Sequence, residues 1–285
     1  MKKRIADVEF PRAAALCLIE RDSRKAALRC IAAASKDFFF FQLNAAAARG
    51  CIPIANVEHP LDETIPFDKR EVAVYLDFIS FWTRAAYFLI KRYGRGGVRD
   101  AAAYIDGMGG LYGWAAGIYR KCLSTTNRPP FVLNPRFIFI HLTDPHLLCI
   151  PSIHVMMVIR AYTHFRALVR RRREEGILER ETATMRNGAV AITESVLYVK
   201  QHSVNCVSAS MYVMTRYDPE LFPPEEAERF AGDLFRSRGN PGRREAEAIR
   251  GHILTLYRRF LEEGREAADW RKPLLDFLAR QPRFG

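Results

Sequence analysis

Prolines and glycines divide this chain into blocks in which apolar residues recur every three or four positions, a pattern that commits most of it to helix. Pro11 opens a first block reaching about Ala34, with Leu16, Ile19, Leu28 and Ile31 as its apolar positions. Residues 36–50 continue through Phe38–Phe41 and Ala45–Ala48 and stop at Gly50 and Pro53. Residues 53–68 are polar and proline-containing, which predicts a loop. A helix over 69–92 ends at Gly94, Gly96 and Gly97, and another spans about 98–121. Asn127-Arg128-Pro129-Pro130 is extended, because the residue before a proline is pushed out of the helical region. Residues 131–150 read as irregular, with 136–142 as a local strand alternative. Helices fit Ser152–Arg173 and Ala189–Arg216, and Pro219, Pro223 and Pro224 mark a break. The tail offers polar helices split around Gly239–Gly242. No internal repeat or low-complexity linker is found. The expectation is an all-α chain: an N-terminal helical extension (1–68), a helical core (69–216) and a polar C-terminal helical region (217–285), packed as one unit.

Apolar content bears on membranes. A span needs about 20 mostly apolar residues. Ala101–Tyr119 carries Asp106 and four glycines, Val72–Ile90 carries Asp77 and Arg84, and the stretch after His154 carries Arg160, His164 and Arg166. Central charges are costly in lipid, so the expectation is a cytoplasmic or peripherally membrane-associated protein rather than a polytopic one. The basic start, Met1–Arg4, is followed by apolar Ala13–Ile19 and then by Glu20, Arg21 and Asp22, which predicts an amphipathic helix and no export signal. Lys and Arg outnumber Asp and Glu by 44 to 32, a formal charge of +12 that favours anionic partners. The six cysteines, Cys17, Cys30, Cys51, Cys122, Cys149 and Cys206, form no C-x-x-C pair and read as core thiols of a reducing compartment.

Three elements carry residues suited to phosphate chemistry. Lys121 and Arg128 frame K-C-L-S-T-T-N-R-P and offer a point charge and a planar fork for phosphate oxygens. Ser152 in Pro151-Ser152-Ile153-His154 is a helix N-cap whose free N–H groups attract an anion, with His154 placed as a general acid. Ser195, Val199, His202 and Cys206 fall on one face of the helix expected over 189–216, and a His there can attack phosphorus if its other nitrogen is held. Each pair read alone is also what a solvated basic loop, a capping Ser or a core His would look like.

Taken together and in order, these elements resemble the signature of the type 2 phosphatidic acid phosphatase (PAP2) and vanadium haloperoxidase superfamily: K-x6-R-P, then P-S-G-H, then S-R-x5-H-x3-D. Lys121, Arg128 and Pro129 match the first, Pro151, Ser152 and His154 the second, Ser195 and His202 the third. The resemblance covers roughly residues 70–215. It implies a helical bundle and a metal-independent phosphatase that needs no cofactor. It also implies His202 as nucleophile, His154 as acid to the leaving oxygen, and Lys121, Arg128 and Ser152 as the phosphate cradle. The implied substrate is a phosphate ester, lipid or soluble.

Three positions depart from that pattern. Ile153 stands for the motif-two Gly, Val196 for the motif-three Arg, and Cys206 for the Asp that would orient His202. Lys200, one turn on from Val196, is a partial substitute for the missing cation. These departures support an alternative in which a catalytically degenerate domain of this type binds phosphate or anionic lipid. A zinc site using His202 and Cys206, with His141, His146 and His154 nearby, is a further reading without a recognisable metalloenzyme motif. Nucleic-acid binding has only the basic run Arg170–Arg173, followed by Glu174 and Glu175, and the smaller pair Arg243 and Arg244, with no recognition motif.

Overall fold

The computed structural model describes residues 4–48, 53–128, 133–172, 175–237 and 239–283. Pro129 of the first motif, Cys51, Gly50, Arg173 and Glu174 lie outside them. Among the described residues the fold is all-α apart from one short strand pair. Its helices are α1 (Phe10–Ile19), α2 (Arg21–Ala34), α3 (Phe40–Ala47), α4 (Pro60–Glu63), α5 (Val72–Leu76), α6 (Phe78–Tyr119), α7 (Pro135–Thr143), α8 (Ile153–Arg171), α9 (Glu175–Tyr198), α10 (Val204–Tyr217), α11 (Pro224–Asp233), α12 (Arg243–Arg265) and α13 (Lys272–Ala279). A π-helical turn, Ser35–Phe39, joins α2 to α3.

Several expected boundaries move. The first block divides at Glu20, which is extended and caps α2. The loop expected over 53–68 holds strand β1 (Ile54–Asn56) and α4, where Pro60 sits at N1 and His59 and Asp62 form a capping box. The segment read as irregular or as a strand holds α7, opened by the Asn134 side chain accepting from the Arg136 N–H, with Pro135 in the first turn. Gly94 kinks α6 rather than ending it. Its backbone (φ 55°, ψ −130°) is one that only glycine adopts without strain, and the helix resumes on the far side.

The core runs continuously from Ile5 to Leu278, so the three sequence segments share one apolar interior. Helix α6 lies along α2 on one side and α8 on the other, while α10 packs between α8 and α12. The α2–α6 approach is close: a Cβ added at Gly109 would lie 3.1 Å from the Cys30 Cα. A buried Glu226 on α11 accepts from Arg166 of α8 and Arg186 of α9, tying three helices together.

The strand pair serves the site. β1 runs parallel to β2 (Leu123–Thr125), with Ala55 opposite Ser124. Ser124 also holds the segment that leads into α8. Its N–H donates to Leu147 O, its carbonyl accepts from Cys149 N, and its Oγ accepts from Ile150 N at 2.8 Å.

Two glycines of α6 test this packing. A Cβ at Gly97 would stand 2.0 Å from the Leu89 carbonyl oxygen, whereas one at Gly113 meets nothing within 4 Å. Gly97→Ala is expected to lower unfolding free energy by ~2 kcal/mol or more, since backbone cannot yield. Gly113→Ala should raise it by roughly 0.5–1 kcal/mol. Urea denaturation of the two variants checks both.

Candidate functional site

Helix α8 begins at the bottom of a pocket. Ser152 is its N-cap, as its residue type predicts, with Oγ accepting from Val155 N at 3.5 Å. The serine is wholly buried, and α10 holds it: Ser152 N donates to Ser210 Oγ at 2.8 Å, while the Ser210 hydroxyl gives its own proton to the Cys206 carbonyl at 2.7 Å and lies 3.3 Å from Ser152 O. This clamp points the first turn of α8, and with it His154, at the turn between α9 and α10.

That turn carries His202, which is not on a helical face. α9 ends at Tyr198, Lys200 takes a left-handed backbone (φ 55°), and Ser203 caps a new helix. The four-residue periodicity through Ser195, Val199, His202 and Cys206 therefore spans a break. Periodicity alone cannot report such a break, because one unusual φ costs little and leaves no mark on the apolar pattern.

The turn brings the two histidines together, with ring centroids 5.6 Å apart and planes at 61°. Tyr75 and Phe78 pack on His154 at 4.7 and 4.3 Å. Both imidazoles are more than nine-tenths buried, and the Nδ1 of each has no hydrogen-bond partner. Burial pushes His154 down to about 3 and His202 well below the ordinary range. In His202, repulsion from His154 and His146 whenever these carry a proton adds to burial, and the Cys149 backbone beside the ring opposes it.

His146 completes a trio. Its backbone is left-handed (φ 62°), its Nε2 lies 2.7 Å from Thr126 Oγ1, and its N–H donates to Asp144 Oδ1. Arg128 approaches from β2's end. Its Nη2 donates to the Asp144 carbonyl at 2.6 Å and lies 3.6 Å from the Asp144 carboxylate, while its Nε has no partner. Burial raises the Asp144 carboxyl, with Arg128 opposing. His146, Asp144, Cys149 and Gln201 carry no local motif. Only the strand register and the turn at 199–203 collect them.

Other expected site residues are elsewhere. Lys121 is exposed in the turn that ends α6, before β2, whereas Arg128 lies beyond the strand's other end. Its charge acts on Asp269 of the C-terminal segment. Lys200 is no substitute clamp: its ammonium caps the Asp62 and Ile65 carbonyls. Ser195 Oγ donates to Ile192 O within its own helix and is fully buried. The Cys206 thiol accepts from Ser203 N, forming a capping box with its own N-cap, and burial raises it. Val196 is fully buried, so an Arg there would have no room. Among the described residues no three His, Cys, Asp or Glu side chains converge as metal ligands.

Phe38, Gln42, Asp144, His146, His154 and His202 line a cavity of about 10 Å³, room for about one water. Through Phe38, Gln42, Asp144 and His154 it adjoins a groove of about 640 Å³ with almost entirely apolar walls, including Ile31, Phe39, Ile79 and Phe139. No protein-family model, curated protein or solved structure matches the chain.

Buried neutral histidines make stability fall with acid. An unfolded His titrates near 6.5 and His154 only near 3, so between those values the unfolded chain holds the extra proton. Its stabilisation is complete above that window and declines as pH drops through it, by up to ~1.4 kcal/mol per pH unit for one such group. His154→Phe, which keeps the packing on Tyr75 and Phe78, should flatten the decline by about one proton in denaturation curves taken from pH 7 to pH 4.

Proposed function

We propose that this chain hydrolyses a phosphate monoester of an apolar alcohol, with His202 taking the phosphoryl group and His154 protonating the leaving oxygen. The observation that carries the reading is the junction of the histidine pair with the apolar groove. A reacting head would sit between the imidazoles while its chain follows the groove.

A nucleophilic imidazole must be neutral, and burial keeps His202 so. The Cys149 backbone beside the ring, and not Cys206, would supply the orienting contact, leaving Nδ1 as the nitrogen without a partner. In the proposed step the Nδ1 lone pair forms the P–N bond as the P–O bond to the alcohol breaks, and His154 gives its proton to the departing alkoxide. Water then attacks the phosphohistidine, with His154 accepting its proton. His154 is neutral in the free protein, so an anionic head must draw a proton in with it. Arg128, released from Asp144, would hold a phosphoryl oxygen. Phe38 and Gln42 must move to admit the head, and Phe38 belongs to the π-turn, a feature common at functional sites.

A second reading, binding without turnover, is favoured by one specific observation: none of the three expected cradle groups is free at the histidine pair, since Lys121 is exposed elsewhere, the Ser152 hydroxyl caps α8 and Arg128 is paired with Asp144.

Turnover separates the two. Alkyl phosphates of increasing chain length should be cleaved with kcat/KM rising about fourfold per methylene until the groove is full. A covalent phosphoryl adduct should appear in the intact mass of a rapid quench and vanish in His202→Ala. Binding with no adduct and no release of phosphate leaves the binding reading, and loss of both binding and turnover removes the site altogether.

Proton uptake gives an independent check. Sulfate, which does not titrate near neutrality, should bind up to about tenfold more tightly for each pH unit lowered between pH 8 and pH 6. Arg128→Ala should weaken it at every pH. Calorimetry in buffers of different ionisation enthalpy reads the proton directly.

A further inference from the structure

The apolar periodicity of the first helices faces outward. The inner faces of α1 and α2 are small: Ala13, Cys17, Ser23, Ala26 and Cys30 are buried. Of the first block's four apolar positions, Leu16 packs on the core, whereas Ile19, Leu28 and Ile31 are 68%, 56% and 56% exposed. The outward stripe continues through the π-turn, with Phe39, Phe40 and Leu43 at least half exposed. Helix α7 adds Phe139 and Leu142, the latter 80% exposed. The two regions adjoin, because Gln42 of α3 donates to Thr143 O at 3.2 Å. The groove opens between them, since Phe10, Leu18, Ile31, Phe39, Ile79 and Phe139 are both exposed and part of its wall.

Basic residues surround this apolar face. Arg12, Arg21, Arg24, Lys25, Lys36 and Arg136 are exposed on the same elements. Among the described residues none of them makes an ion pair. Arg24 and Lys25 lie one turn before Leu28, and Lys36 lies one turn before Phe40, so charge and hydrocarbon alternate along the stripe. A tight protein partner would favour a face with few charges at its centre. A bilayer with acidic lipids suits this pattern better. Large apolar side chains enter the acyl boundary while Lys and Arg reach back to the headgroups.

We infer that the face formed by α1, α2, the π-turn, α3 and α7 seats on the surface of an anionic lipid bilayer, with the mouth of the apolar groove against the acyl layer. The inference rests on the exposed face and its charge, so it stands or falls separately from the phosphohistidine chemistry. Seating places the groove where a lipid chain can enter it without crossing water. More than half of the most apolar part of α5–α6, the one stretch among the described residues with the length and composition of a span, is buried inside the protein. The contact therefore lies along the surface, through the outer helices.

Vesicle co-sedimentation of the full chain tests this. Phosphatidylcholine vesicles containing phosphatidylglycerol should bring the protein down, phosphatidylcholine alone should do so much less, and salt should weaken the contact. Phe40→Glu with Leu43→Glu, and separately Arg24→Glu with Lys25→Glu, should each reduce binding at least about tenfold. All four positions are exposed, so melting temperature and sulfate affinity should stay unchanged. Protein that remains in the supernatant with anionic vesicles overturns the inference. So does binding that ignores both double variants, or a self-associated wild type that Phe40→Glu with Leu43→Glu converts to monomer, which would assign the face to a second copy of the chain.

Discussion

Ser210 on α10 accepts the N–H of Ser152, the cap of α8, and the candidate site depends on that contact. A helix start leaves several N–H groups unpaired, so it is a poor element to bury unless something fixes it. Here a hydroxyl from a neighbouring helix does so with no charge, in a region where a charge would be expensive. Because α10 also begins just after His202, one contact between helices sets the relative position of both imidazoles. The Ser124 hydrogen bonds do the same for the segment entering α8, from the opposite side.

The electrostatics follow from the same burial. Two imidazoles without Nδ1 partners, a third against Thr126 and a raised carboxyl on Asp144 sit together in a poorly hydrated interior. Groups in such a place stay neutral or pair, and Arg128 with Asp144 is the pair. The fold thereby keeps both imidazoles unprotonated at neutral pH. The same arrangement demands a proton whenever an anion enters, and it leaves the cavity too small for a phosphate until the Phe38–Gln42 wall shifts. The acid sensitivity of the fold and the proton uptake proposed for anion binding thus have one source, the exclusion of water around His154 and His202.

The apolar groove and the outward stripe of α1–α3 share a cause as well. Small inner residues let α2 come close to α6 at Gly109, which puts the bulky residues of the same helices on the outside. The protein gains tight helix contact there and exposes hydrocarbon that a chain folding only for water would cover.

Helical content, the Ser152 cap and the order of Lys121, Arg128, Ser152, His154 and His202 were legible in the sequence, because propensity, capping and proline geometry are local. The convergence of His154 and His202 was only an expectation there, drawn from a resemblance that no comparison supports. Tertiary structure decided what distance decides. It brought the two imidazoles to 5.6 Å by breaking the expected helix at Lys200, left Lys121 at the wrong end of a strand, and spent Lys200, Ser195 and Cys206 on backbone hydrogen bonds. It also turned Ile19, Leu28 and Ile31 outward. An amphipathic period marks two faces without saying which one meets the core, and the close approach of α6 settled that in favour of the small side chains.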